Sequence, residues 1–180
     1  MAGAVFVYGA AAVAWRPARA AGGFTLGRVR GSDAVVAMAT GALSSAVLVV
    51  WLRVAKPDLS DLVARIPRLG WPGLIAAGVL FALVNSVVEE ALFRGVLWSG
   101  LSQTTLSTAH VVIAQAACFG AAHFRGFPRG GFGVLLAFVY GLLLGVVRHR
   151  TGGILWPVMG HLLPDLTIFL LVAWMAGQAG

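Results

Sequence analysis

Three apolar stretches of this chain each carry ionisable side chains at helical spacing. Val88-Glu89-Glu90-Ala91-Leu92-Phe93-Arg94 holds two carboxylates and a guanidinium, Phe119-Gly120-Ala121-Ala122-His123 holds an aromatic ring and an imidazole, and Gly160-His161-Leu162-Leu163-Pro164-Asp165 holds an imidazole and a carboxylate. Carboxylates and imidazoles brought together can take a proton from water and return it to a leaving group, which is the chemistry of hydrolysis by general base catalysis. Where water is scarce, polar groups aimed at a developing oxyanion also act strongly.

Each segment has a plainer reading. An ionisable group at membrane depth costs about 2.5–3.5 kcal/mol on insertion scales, so a buried cluster could simply dock one helix on its neighbours. Glu90 and Arg94, four apart, are predicted to form an ion pair on one face. Glu89 is turned about 100° from Glu90 around the helix, which leaves it as the free acid or base. Two adjacent glutamates exceed what docking requires. His123 could be an interfacial histidine, and His161 with Asp165 a hydrogen bond inside one helix. Pro157 and Pro164 each remove a backbone hydrogen bond, predicting a kink that aims His161 and Asp165 inward. His110 and His149 read as interfacial.

The elements that position these groups follow from composition. Of 180 residues, 59% are hydrophobic and only 11% charged, and the mean hydropathy is +0.91. A water-soluble domain carries about 25% charged residues, so lipid is the solvent for much of this surface. The formal charge of +7 does not indicate nucleic acid. Its arginines, Arg148 and Arg150 among them, fall between apolar blocks, where they would meet lipid headgroups. Arginine dominates over lysine, and alanine, glycine and valine are abundant, as expected of a high-GC bacterial genome. The single cysteine, Cys118, excludes an internal disulfide.

Apolar stretches at roughly 34–54, 71–99, 106–124, 132–148 and 153–177 are long enough, or nearly so, to cross a hydrocarbon core needing about 20 helical residues. The fold expected is all-α: a polytopic transmembrane bundle of about five long helices in the cell membrane, preceded by a short apolar segment, Ala2 to Trp15. Residues 1–33 form that segment and a basic loop, and 34–180 the helical core. Lys56 to Gly70 reads as an amphipathic segment on the membrane surface, and Arg125 to Gly131 and Arg148 to Gly153 as loops. Gly141 and Gly145 have the spacing of a close helix contact. Trp71, Trp98 and Trp156 fit an aromatic belt.

In that order on separate helices, Glu-Glu-x-x-x-Arg, Phe-x-x-x-His and His-x-x-x-Asp resemble the CPBP family of intramembrane proteases. This is the family of the CAAX prenyl endopeptidase and of bacterial relatives linked to bacteriocin processing and immunity. The resemblance covers roughly Phe81 to Leu171. It implies an intramembrane endopeptidase in which Glu89 activates a water, His123 helps to hold it, Glu90 and Arg94 support the site, and His161 and Asp165 complete it. It also implies a metal alternative, in which Glu89, His123, His161 and Asp165 supply ligands to Zn²⁺ and water takes the remaining position. Family members usually have more helices before the Glu-Glu segment, so this chain is expected to be a minimal or shortened member.

The expected partners are membrane lipids and a membrane-anchored protein or peptide substrate, with no nucleic acid. The competing function is a non-catalytic scaffold or bacteriocin immunity protein of the same fold. An ion-coupled transporter is disfavoured by small size and the lack of an inverted repeat. The central expectation is that Glu89, His123 and His161, from three helices, converge on one water within the membrane.

Overall fold

The computed structural model describes residues 23–178, and these contain helices and no strand. Helix α1 spans Gly31–Ala55, α2 is a single turn at Ser60–Val63, and α3 runs Trp71–Ser102 with a π segment at Ala91–Leu97. Helix α4 spans Thr108–Ala122 and passes into a 3₁₀ turn at His123–Arg125. Helices α5 and α6 span Gly130–Thr151 and Leu155–Gln178. The expected segment from Ala2 to Trp15 lies outside the described residues.

Among the described residues, α1, α3, α5 and α6 are long and apolar enough to cross a membrane. The stretch expected at 106–124 becomes a shorter helix. Ser107 is spent as the N-cap of α4, its hydroxyl accepting from the His110 backbone N–H, and the backbone leaves helical geometry at His123. The 15 residues between rise only about 22 Å, short of a core of about 30 Å. Their early end sets His123 at a helix terminus rather than within a span.

Local chemistry explains the other boundaries. Pro72 in the first turn of α3 gives up an N–H that would be unpaired there anyway. Gly152, at φ 73°, closes α5 by donating its N–H to the Arg148 carbonyl, so α5 continues through residues expected to be loop. The expected amphipathic surface segment reduces to the single turn α2, with Leu59 tucked inward at 4% exposure.

Outward positions such as Val35, Val50 and Val54 on α1 and Leu80 and Val84 on α3 are apolar and exposed, as lipid requires. Inward contacts pair α4 with α5, and α6 with both α1 and α3. Residues 25–28 strap the α5–α6 turn. Arg28 N donates to the Thr151 carbonyl at 2.8 Å and Ile154 N to the Thr25 carbonyl at 2.9 Å, while Trp156 Nε1 donates to the Arg28 carbonyl. Arg150 pairs at 2.9 Å with Asp33, whose charge also suits the first turn of α1.

Small residues set the approach of α1 to α6. A Cβ on Gly41 would collide with the Gly160 carbonyl, and one on Gly160 would stand 2.9 Å from the Ala37 carbonyl. His161 follows Gly160 directly, so this crossing fixes its depth. Gly160→Ala is expected to lower stability by about 1–3 kcal/mol through overpacking. Gly177→Ala, where an added Cβ meets nothing within 4 Å, should not, and thermal unfolding in nanodiscs compares the two.

Candidate active site

Glu90 and Arg94 form the deepest layer, with no exposed side-chain surface on either. Arg94 Nη1 donates to Glu90 Oε1 at 2.8 Å, the i,i+4 pair the spacing predicts. Arg94 Nη2 donates to the Gly141 carbonyl of α5, and its guanidinium lies 4.6 Å from the centroid of the Phe119 ring of α4. The same Glu90 oxygen accepts from His161 Nδ1 of α6 at 2.7 Å, a contact between residues 71 apart that spacing could not reveal.

The π segment begins directly after Glu90 and contains Arg94. Such widened turns disturb the backbone hydrogen-bond ladder and recur at functional sites. Here the Arg94 carbonyl accepts from Arg148 Nε at 2.9 Å and the Gly95 carbonyl from the Ser99 hydroxyl at 2.7 Å. Arg148 is thereby buried, at 6% exposure, over the Trp98 ring. Both residues were expected near headgroups or the aromatic belt. The extra helical turn of α5 and the need to satisfy that carbonyl bring them inside.

Glu89, His123 and Asp165 form the next layer, at the floor of a cavity of about 520 Å³ that His161 also lines. Glu89 Oε1 accepts from the Asn85 amide at 3.2 Å. Its other oxygen, Oε2, is buried with no hydrogen-bond partner, 3.9 Å from His123 Nε2 and 3.7 Å from His161 Nε2. Asp165 Oδ1 lies 3.6 Å from the same His161 nitrogen. Side chains from α3, the end of α4 and α6 therefore face one small space.

Hydrogen bonding fixes the imidazole tautomers. His123 Nδ1 lies 2.8 Å from the Phe119 carbonyl, which only accepts, so Nδ1 carries the proton. His161 Nδ1 faces the Glu90 carboxylate and donates by the same logic. In both rings Nε2 is then the nitrogen turned toward the Glu89 side of the cavity. Phe119, 1% exposed, holds the rings in place, with centroids 4.4 Å from His123 and 5.8 Å from His161.

A tetrahedral Zn²⁺ with bonds of about 2.0–2.2 Å keeps its ligand atoms about 3.3–3.6 Å apart, and the separations here, 3.6, 3.7 and 3.9 Å, stand at or just beyond the upper end of that range. Among the described residues no group of three or more His, Cys, Asp or Glu side chains is set to hold a metal ion.

The cavity wall is apolar. Leu43 and Val47 of α1 and Leu135 and Val139 of α5 line it and are also exposed, so it reaches the outer apolar surface between these helices. The loop at Gly126, Phe127 and Pro128 closes one end. That loop is tied to the α2 region by the exposed Arg129–Asp61 pair, which holds the Asp61 carboxyl below its usual value.

Sequence reasoning missed Asn85, Tyr140 and Gln115. Asn85 and Tyr140 line the cavity, and Gln115, fully buried, donates to the Gly141 carbonyl beside Arg94. All three are uncharged. The one available signal was polarity inside apolar helices, where such groups need a partner.

A family model described as "Rce1-like: Type II CAAX prenyl endopeptidase Rce1-like" matches residues 71–167. Comparison with curated proteins gave no match, and neither did comparison with solved structures.

Removing one member of the deep pair should cost more than removing both. Arg94→Met leaves Glu90 without its cation and is expected to destabilise the fold by about 3–5 kcal/mol. Glu90→Gln with Arg94→Met should recover part of that loss, which unfolding of the wild type and the two variants in lipid would measure.

Proposed function

The chain belongs to the Rce1-like family of type II CAAX prenyl endopeptidases, and from that membership and the site geometry we propose that it is an intramembrane endopeptidase using a glutamate-activated water. The observation that carries the reading is the Glu89 carboxylate. One oxygen is held by Asn85, and the other is buried, unpartnered and flanked by two imidazole nitrogens.

Water placed at Glu89 Oε2 gives its proton to that carboxylate while its oxygen bonds to the peptide carbonyl carbon, and the carbonyl π pair moves onto oxygen. His123 Nε2 accepts the water's second hydrogen and orients it. As the tetrahedral species collapses, the C–N bond breaks, the carbonyl reforms, and the leaving nitrogen takes the proton from Glu89. One water is consumed, and Glu89 returns to carboxylate. Glu90 and Arg94 do not touch the substrate in this scheme. They hold His161 and the helix that carries Glu89. His161 and Asp165 close the far side of the space the carbonyl occupies.

An apolar cavity that reaches the lipid-facing surface suits a membrane-anchored protein or peptide, brought in sideways from the bilayer. For a bacterial host, a single-span protein, a lipid-anchored protein or a peptide precursor is a better expectation than a prenylated CAAX protein.

The test uses purified protein in liposomes with single-span and lipid-anchored reporter peptides, a farnesylated one included. Glu89→Gln should lower the cleavage rate by about 10²–10⁴-fold and His123→Ala by roughly 10²-fold. Cleavage that is indifferent to Glu89→Gln contradicts the reading. A chain that cleaves nothing while remaining active in cells favours the scaffold or immunity role. Zinc at about one ion per chain, with cleavage lost to a chelator and restored by Zn²⁺, would assign the water to a metal instead.

A further inference from the structure

Asn85 lies one helical turn before Glu89 on α3. Its side-chain Nδ2 is 3.2 Å from Glu89 Oε1 and also 3.2 Å from Asp165 Oδ2 on α6. Carboxylate oxygens accept, so the NH₂ rather than the carbonyl end of the amide faces them. An NH₂ group has two hydrogens, and here one is available for each carboxylate. A lone asparagine in an apolar helix ordinarily reads as a polar contact that docks two helices. This one spends both donors on the acidic side chains that floor the cavity, and it lines that cavity itself.

The consequence is orientation. With Oε1 engaged, Glu89 is left with Oε2 turned toward His123 and His161, and with Oδ2 engaged, Asp165 is left with Oδ1 turned toward His161. The amide also separates two carboxylates that would otherwise repel each other across the same imidazole. No other neutral side chain in the described residues donates to both. We propose that Asn85 is a positioning residue of the hydrolytic site, a clamp that selects which oxygen of Glu89 acts on water and holds Asp165 beside it. This inference rests on the endopeptidase reading above.

The clamp predicts a particular kinetic pattern. Asn85→Leu removes both donors at similar volume, and kcat should fall about 10–100-fold, the range for groups that orient a reacting ligand, with KM changed less than about threefold. In an Asp165→Asn background one of the two carboxylates is already gone, so the same substitution should cost several-fold less there. A purely structural asparagine would give equal losses in both backgrounds. Asn85→Ser is the second variant, since a hydroxyl carries one hydrogen and can hold only one carboxylate, and its kcat should fall between wild type and Asn85→Leu.

The reporter cleavage assay, run with unfolding of every variant in the same liposomes, decides the matter. Unchanged kcat in Asn85→Ser overturns the clamp even where Asn85→Leu fails to fold, and so do equal losses with and without Asp165. Wild-type cleavage that needs Glu89 but ignores Asn85 overturns this inference alone. Wild-type protein that cleaves no reporter overturns the endopeptidase reading, and the clamp with it.

Discussion

One carboxylate oxygen, Oε1 of Glu90, accepts from both Arg94 and His161, and the rest of the site depends on it. A charge without exposed surface is tolerated only when paired and hydrogen-bonded, so this oxygen forces α3 and α6 into one register. Arg94 extends the constraint through the Gly141 carbonyl of α5 and the Phe119 face of α4. Four helices thus meet at one ion pair. Glu89, the next residue along the chain, inherits a fixed position without being part of that pair.

The polar groups are graded by depth. The Glu90–Arg94 pair is closed to water, His161 is nearly so at 4% side-chain exposure, and Glu89 and His123 are the more open at 14% and 19%. The lower layer ties Arg94 Nη1 and Nη2 and one Glu90 oxygen into three hydrogen bonds and has no exposed side-chain surface on the pair, whereas the upper layer turns Glu89 Oε2 toward two imidazoles beside the cavity. That is the division expected of a site that must hold its geometry yet still bind water and a peptide. The close Gly41–Gly160 crossing and the strap over the α5–α6 turn serve the same end, because both limit how far α6 can move relative to its neighbours.

Much of this was legible in the sequence because charges inside apolar helices are rare and their spacing is geometric. The Glu90–Arg94 pair followed from a separation of four, and the segments bearing His123, His161 and Asp165 stood out for the same reason. What escaped was set by tertiary approach. Nothing local announces that His161 reaches Glu90, or that α3 widens into a π segment after it. Arg148 looked interfacial because it sits between apolar blocks, but the carbonyl it satisfies belongs to another helix. The helix carrying His123 looks like a full span in the sequence because Leu106 before its N-cap and Phe124 after its last α turn lengthen the apolar run. Asn85, a neutral residue one turn from a more conspicuous acid, carries no charge to single it out.

The proposed mechanism requires water to attack the peptide directly under the control of Glu89. The most direct measurement is a single turnover of wild-type protein in ¹⁸O-enriched water, with excess enzyme over a cleavable membrane reporter, followed by mass spectrometry of both product and enzyme. Direct attack puts one ¹⁸O in the new C-terminal carboxylate of the product and none in Glu89. Label found in the Glu89 carboxylate, or a product formed without label, would contradict it.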